Sequence, residues 1–145
     1  MLKRAILLVV GVAAVGGACG IEPGSGQCRE TTLVADPVTV TDPLAPLTLT
    51  ATLTFEGKPV AGADVSFATL TTGTPNLPAG ARGGRHIGKA TTGDDAVARY
   101  VREEGIDGLL LAGEHLTGYQ AGFTPLRKID GVQYCKARDD APVTI

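Results

Sequence analysis

The nine residues Leu47-Thr48-Leu49-Thr50-Ala51-Thr52-Leu53-Thr54-Phe55 alternate without a break between apolar side chains and threonine. Side chains of an extended chain point to opposite faces in turn, so Leu47, Leu49, Ala51, Leu53 and Phe55 line one face and four threonines the other. This is the pattern of a strand with one face in a core and one in water. No stretch of the folded region sustains the i, i+3, i+4, i+7 apolar stripe of a helix, so the chain reads as all-β.

The neighbouring segments fit the same texture of short apolar or threonine-rich runs broken by Pro, Gly and Asp. Glu56-Gly57-Lys58-Pro59 makes a turn, and a strand from Ala63 to Phe67 turns Val65 and Phe67 inward. Residues 71 to 89, rich in Gly and Pro, form a long loop. Strands follow at about His86 to Thr91 and from Ala96 to Arg102, the second with Ala98 and Tyr100 inward, because the other phase would bury Arg99 unpaired. Leu109-Leu110-Leu111 fits either a short strand or a buried turn. Gly118 to Phe123 turns Tyr119, Ala121 and Phe123 inward, and Pro142 to Ile145 supplies a last strand. With Thr31 to Val34 and Val38 to Val40 the count reaches about seven or eight short antiparallel strands, the number of an immunoglobulin-like β-sandwich.

The N-terminus has a different character. Lys3 and Arg4 precede an unbroken apolar run, Ala5 to Val15, and then Gly16-Gly17-Ala18-Cys19. A charged start, a short apolar run and small residues before a cut site are the parts of a secretory signal segment, and the run falls short of the roughly 20 residues that span a bilayer. Val15-Gly16-Gly17-Ala18-Cys19 resembles the lipobox of bacterial lipoproteins, with Gly16 where leucine is favoured. The resemblance implies cleavage after Ala18 and lipidation of Cys19. Cutting there removes two cations and moves the charge from 13 against 15, or -2, to 11 against 15, or -4. A mature chain of that charge has no strong basic field for nucleic acid.

Three cysteines in an exported chain leave one odd thiol. With Cys19 lipidated, Cys28 and Cys135 remain as the one intramolecular pair, and a bond between them closes a loop of about 100 residues. The alternative is two buried free thiols. Gly20 to Gln27, polar and rich in Gly, reads as a flexible tether. The expected organisation is therefore a signal peptide at 1–18, a lipidated cysteine and tether at 19–27, and one sandwich domain at 28–145.

Leu53-Thr-Phe-Glu-Gly-Lys-Pro-Val-Ala-Gly-Ala-Asp-Val-Ser-Phe67, then Gly88-Lys-Ala-Thr-Thr-Gly-Asp-Asp-Ala-Val-Ala-Arg-Tyr100, resembles bacterial Ig-like domains of the invasin and intimin type. In those domains a strand ends in a Gly-Lys-Pro turn, leads into a Gly-Ala-x-Val-x-Phe strand, and a later hairpin opens with Thr-Asp-x-x-Gly-x-Ala. Gly118-Tyr-Gln-Ala-Gly-Phe123 is similar to the family's penultimate strand. Asp95-Ala96 stands where the family has Asn-Gly, which argues against a tight type I′ turn. The resemblance implies an adhesive, structural or display module with no catalytic residues and no cofactor.

Local chemistry points the same way. Gly83 to Ala90 falls short of a phosphate loop, because Ala90 replaces the Mg²⁺-binding hydroxyl and a β pattern follows. His86 and His115 lie far apart in sequence and lack the spacing of a zinc site. Asp94-Asp95, Glu103-Glu104 and Asp139-Asp140 are acidic pairs that read more simply as solvated turns than as Ca²⁺ ligands. The candidate binding loop is 71–89, carrying Arg82, Arg85, His86 and Lys89; its plainer reading is a mobile, soluble connection. The expectation is a non-enzymatic envelope lipoprotein whose single Ig-like domain serves binding, adhesion or structural display, with the membrane as partner through its lipid and an unidentified protein or envelope component as the other. The alternative is a secreted, unlipidated carrier or inhibitor working through its loops.

Overall fold

The computed structural model describes residues 27–145. The signal segment, Cys19 and the tether up to residue 26 lie outside the described residues. Nine strands run in the order β1 (Thr32–Ala35), β2 (Val38–Thr39), β3 (Leu47–Phe55), β4 (Lys58–Pro59), β5 (Asp64–Thr72), β6 (His86–Thr91), β7 (Val97–Arg102), β8 (His115–Phe123) and β9 (Ala137–Thr144). One sheet is built on β3, with β1, β4 and β7 paired to it; the other runs β2-β9-β8-β5-β6.

The two sheets close on one another through the alternation of their strands. Leu47, Leu49, Ala51 and Leu53 of β3 are buried, as are Val65 and Phe67 of β5 and Tyr119, Ala121 and Phe123 of β8. Phe55, at the end of β3, is half-buried and meets Tyr134 edge-on at 5.7 Å. Phe67 lies at the centre, with Tyr100 stacked at 5.8 Å and Tyr119 tilted at 6.1 Å. Aromatic pairs at such spacings add to the area they bury, which matters in a core otherwise made of Leu, Val and Ala.

Ala98 and Tyr100 face inward as expected, but Tyr100 stays half-buried at the open side of the sandwich between β6 and β7. Its ring lies flat over Gly88, where any Cβ would overlap it, and its hydroxyl donates to the Ile87 carbonyl at 3.0 Å. Gly88 is thus a packing glycine in a strand, not part of a phosphate loop.

The chain changes sheets between β1 and β2, a corner device of packed sheets. β1 pairs antiparallel with β3, whereas β2 runs parallel to β9, so the strands are not all antiparallel as expected. Tyr119 fastens this corner. Its buried hydroxyl lies 2.6 Å from the Asp36 carbonyl oxygen and 2.8 Å from that of Thr50, so its proton joins β8 to the β1–β2 corner and to β3. Burial pushes its pKa up to about 12.

Several boundaries move. β5 extends to Thr72 and β6 begins at His86, which shortens the expected 71–89 loop to residues 73–85. β9 begins at Ala137 rather than Pro142 because Arg138 and Asp140 point outward while the Asp139 carboxylate accepts from the Ala35 N–H at 2.9 Å. Leu109 to Leu111 form a bend rather than a strand, with Leu109 buried and Leu111 exposed. The Asp94-Asp95-Ala96 turn is three residues long: Ala96 N–H donates to Gly93 at 2.9 Å, and Gly93 N–H to Val97 at 3.1 Å. Ala96 takes φ 73° there, the left-handed position that usually falls to glycine in such loops.

Cys28 and Cys135 are bonded, with Cα atoms 4.9 Å apart, across a sequence separation of 107. The bond fastens the chain entering β1 to the chain entering β9. Backbone hydrogen bonds from Arg29 to Gln133 and from Cys135 to Arg29, each 2.8 Å, flank it.

Candidate functional site

Loop 73–85 is fastened at its base. Thr71 and Gly83 exchange backbone hydrogen bonds at 2.9 and 2.8 Å, and the Arg85 N–H donates to Thr69 Oγ1 at 3.1 Å. The Arg85 guanidinium then reaches the β7–β8 connection. It lies 3.2 Å from Glu114 Oε1 and also donates to the Leu109 carbonyl.

Glu114 is the hub of this arrangement, and its side chain is 0% exposed. Thr74 Oγ1 donates to Oε2 at 2.7 Å and the Leu111 N–H to Oε1 at 2.8 Å. The Leu111 N–H and then Thr74 hold its carboxyl below the ordinary carboxylate value, each outweighing the opposing effect of burial, and Arg85 adds a smaller pull in the same direction. In the sequence Glu114 sits unmarked between Gly113 and His115. Only the tertiary fold brings Thr74 and Arg85, 40 and 29 residues away, onto it.

The four residues expected to form a binding loop do not converge. Arg85 is taken up by Glu114. Arg82 remains exposed and approaches Asp140 of β9 at 3.9 Å, while Lys89 approaches Asp64 of β5 at 3.7 Å. His86 is an exposed residue of β6 opposite Ala68, and His115 lies opposite Thr72. Four strand positions separate those partners, about 13 Å, too far for the two imidazoles to share a ligand. The acidic pairs are also scattered: Asp95 binds Arg99 at 2.8 Å, Asp139 binds Ala35, and Asp140 accepts from Gln120 at 3.1 Å. Among the described residues the one cluster with metal-ligand types is Cys28, Glu30 and Cys135, whose sulfurs are already bonded to each other.

A surface the sequence did not mark lies on the outer face of the five-stranded sheet. Ser66 of β5 and Gly122 of β8 are paired neighbours, with Lys89 opposite Ser66 and Arg138 opposite Gly122. Small side chains in the middle and long cations on both sides make a shallow trough. It continues as two adjoining grooves of about 590 and 610 Å³ that share Ser66, Gly122 and Thr124. Leu126 and Arg127 line one; Lys136 and Arg138 line the other. These cations come from β6, β9 and the β8–β9 connection, so no contiguous basic run announces them.

The β8–β9 connection is itself held in shape. Ile129 and Val132 exchange backbone hydrogen bonds at 2.9 Å around Asp130-Gly131, whose φ values of 49° and 80° are those of a type I′ turn.

Comparison with protein-family models, curated proteins and solved structures finds no match to this chain.

Proposed function

We propose that this chain is an exported lipoprotein, anchored to a bacterial envelope membrane through Cys19, whose single Ig-like sandwich binds or displays without turning over a substrate. The observation that carries the reading is the Cys28–Cys135 bond. It uses two of the three cysteines and leaves Cys19, at the end of the apolar leader, as the one for acylation.

The strand partition supports the Ig-like part. One sheet gathers β1, β3 and β7, and the other β9, β8, β5 and β6, in the manner of the A-B-E and G-F-C strands of an immunoglobulin sandwich. The disulfide differs in place, tying the ends of the domain rather than the two sheets through the core. Among the described residues the buried polar groups serve structure: Glu114 holds loops, Thr92 bonds the Val60 carbonyl at 2.6 Å, and Tyr119 holds a corner. A rigid framework with an exposed cation-lined trough suits binding.

The second reading, a secreted unlipidated carrier or inhibitor, draws on loop 73–85, which the Arg85–Glu114 contact holds ready with Arg82 exposed. Membrane fractionation separates the two. After a high-salt wash, the wild-type chain is expected in the detergent-extracted membrane fraction and Cys19→Ser in the soluble one. Equal partition of both into the soluble fraction contradicts anchoring and favours the carrier.

A further inference from the structure

One end of the molecule gathers cations from two segments far apart in the chain. Residues 27–30 and 124–138, which meet at the disulfide, hold five cations against two acids, a net of +3. The remainder of the chain from Cys19 on holds six cations against thirteen acids. Glu56, Asp64, Asp94 and Asp95 share this end, where Lys89 approaches Asp64 and Arg99 binds Asp95, whereas Asp42, Glu103, Glu104 and Asp107 lie at the opposite end, where the Ile106 N–H donates to the Pro43 carbonyl at 3.0 Å and joins the two acidic connections.

Arg29 and Lys128 line one groove beside Cys28, and Arg127 and Lys136 line those on either side of Thr124. All four are exposed, and among the described residues none lies within 4.0 Å of a carboxylate. Next to Arg127 in the sequence stands Leu126, 95% exposed, on a connection pinned by the Asp130-Gly131 turn. An apolar tip between cations is the composition that settles at a headgroup boundary.

We propose that this basic end, Arg29, Arg127, Lys128 and Lys136 with Leu126 at its tip, docks on the anionic phospholipid headgroups of the membrane that carries the anchor. The proposal rests on the lipoprotein reading for its geometry. Eight residues separate Cys19 from Cys28, so the disulfide end stays within about 30 Å of the acylated residue even at full extension. The negative surface attracts the basic end and repels the acidic one, which orients the domain with its 103–107 connection outward. Each Lys or Arg near such a surface strengthens binding severalfold, and salt screens the effect.

The test uses the purified mature chain, residues 19–145 with Cys19→Ser, which has neither the apolar leader nor an acyl group, with sedimenting vesicles of phosphatidylcholine alone or with part of it replaced by phosphatidylglycerol. The expected result is binding to the phosphatidylglycerol vesicles only, weakened by added salt. It falls at least about tenfold in Arg127→Glu/Lys128→Glu, weakens in Leu126→Ser, and is unchanged in Arg82→Glu. Melting temperatures of the three variants check that these exposed substitutions leave the fold intact. Equal binding to both vesicle types, no binding to either, or an equal loss in Arg82→Glu overturns the proposal. Tight binding to soluble polyphosphate without vesicle binding overturns it in favour of a free polyanion. Failure here leaves the anchoring reading standing, since that depends on the chemistry of Cys19 alone.

Discussion

The Arg85 guanidinium lies 3.2 Å from the Glu114 carboxylate, and through that contact the β5–β6 loop and the β7–β8 connection become one unit. Neither segment has regular structure of its own. Their order depends on a single carboxylate that accepts from a backbone N–H, a threonine hydroxyl and an arginine at once. Removing either partner is expected to loosen the loop more than the sandwich. In Arg85→Ala, limited proteolysis should cut within residues 73–85 sooner than in wild type, while the melting temperature falls less than for the core changes below. Unchanged cleavage would mean that the loop is held by the Thr71–Gly83 backbone pairing alone.

The same carboxylate sets an acid limit. Its pKa is lower folded than its ordinary 4.5. The stability it contributes is therefore complete above that value and is lost as pH falls through the lower folded value. Proteolysis of loop 73–85 should rise as pH falls below about 4.5 in wild type and depend much less on pH in Glu114→Gln, where the loop is already loosened. An acid-resistant protease such as pepsin is suited to the measurement.

Tyr119 sets the alkaline limit. Its folded pKa of about 12 lies above the ordinary 10.0, so its contribution is complete below pH 10 and disappears as pH rises toward 12. With allowance for screening this amounts to about 1 to 2 kcal/mol. Tyr119→Phe leaves the Asp36 and Thr50 carbonyls without that donor and should cost about 1 to 2 kcal/mol at neutral pH. Denaturant titrations at neutral and alkaline pH should show the wild-type advantage shrinking as pH rises. A constant gap would place the origin elsewhere.

Replacing Cys28 and Cys135 together by serine opens a loop of more than 100 residues. The cost should be about 2 to 5 kcal/mol, read as a lower denaturation midpoint. Alkylation of the native chain should find neither of these two thiols free.

Gly88→Ala places a methyl into the Tyr100 ring, and overpacking of this kind costs about 1 to 3 kcal/mol. The second change Tyr100→Ala should remove most of that penalty, so the double mutant is more stable than the sum of the singles predicts. Simple additivity would place the Gly88 effect in strand propensity instead.

Where one face of a strand is buried, alternation alone locates it. Leu47 to Phe55, Val65 with Phe67, and Tyr119 to Phe123 are legible because each apolar residue falls on an inward position. The first half of β9 is not, since Arg138-Asp139-Asp140 breaks the pattern and Asp139 finds its partner on β1. The parallel β2–β9 pairing is equally hidden, because two residues carry no period. The loop cations are visible in the sequence but their partners are not. Glu114, Asp140 and Asp64 are supplied by strands or connections 25 or more residues away. The basic end is dispersed in the same way, Arg29 joining Arg127, Lys128 and Lys136 where the chain entering β1 is held to the chain entering β9.

The assignment of one cysteine to lipid and two to a clamp is open to a direct check on the mature N-terminus. Intact mass and peptide mapping of the protein purified from bacterial membranes should show a chain starting at Cys19 with a diacylglyceryl thioether on its sulfur, and Cys28 joined to Cys135. An unmodified Cys19 at the N-terminus, or Cys19 joined to either of the other two, would contradict the account.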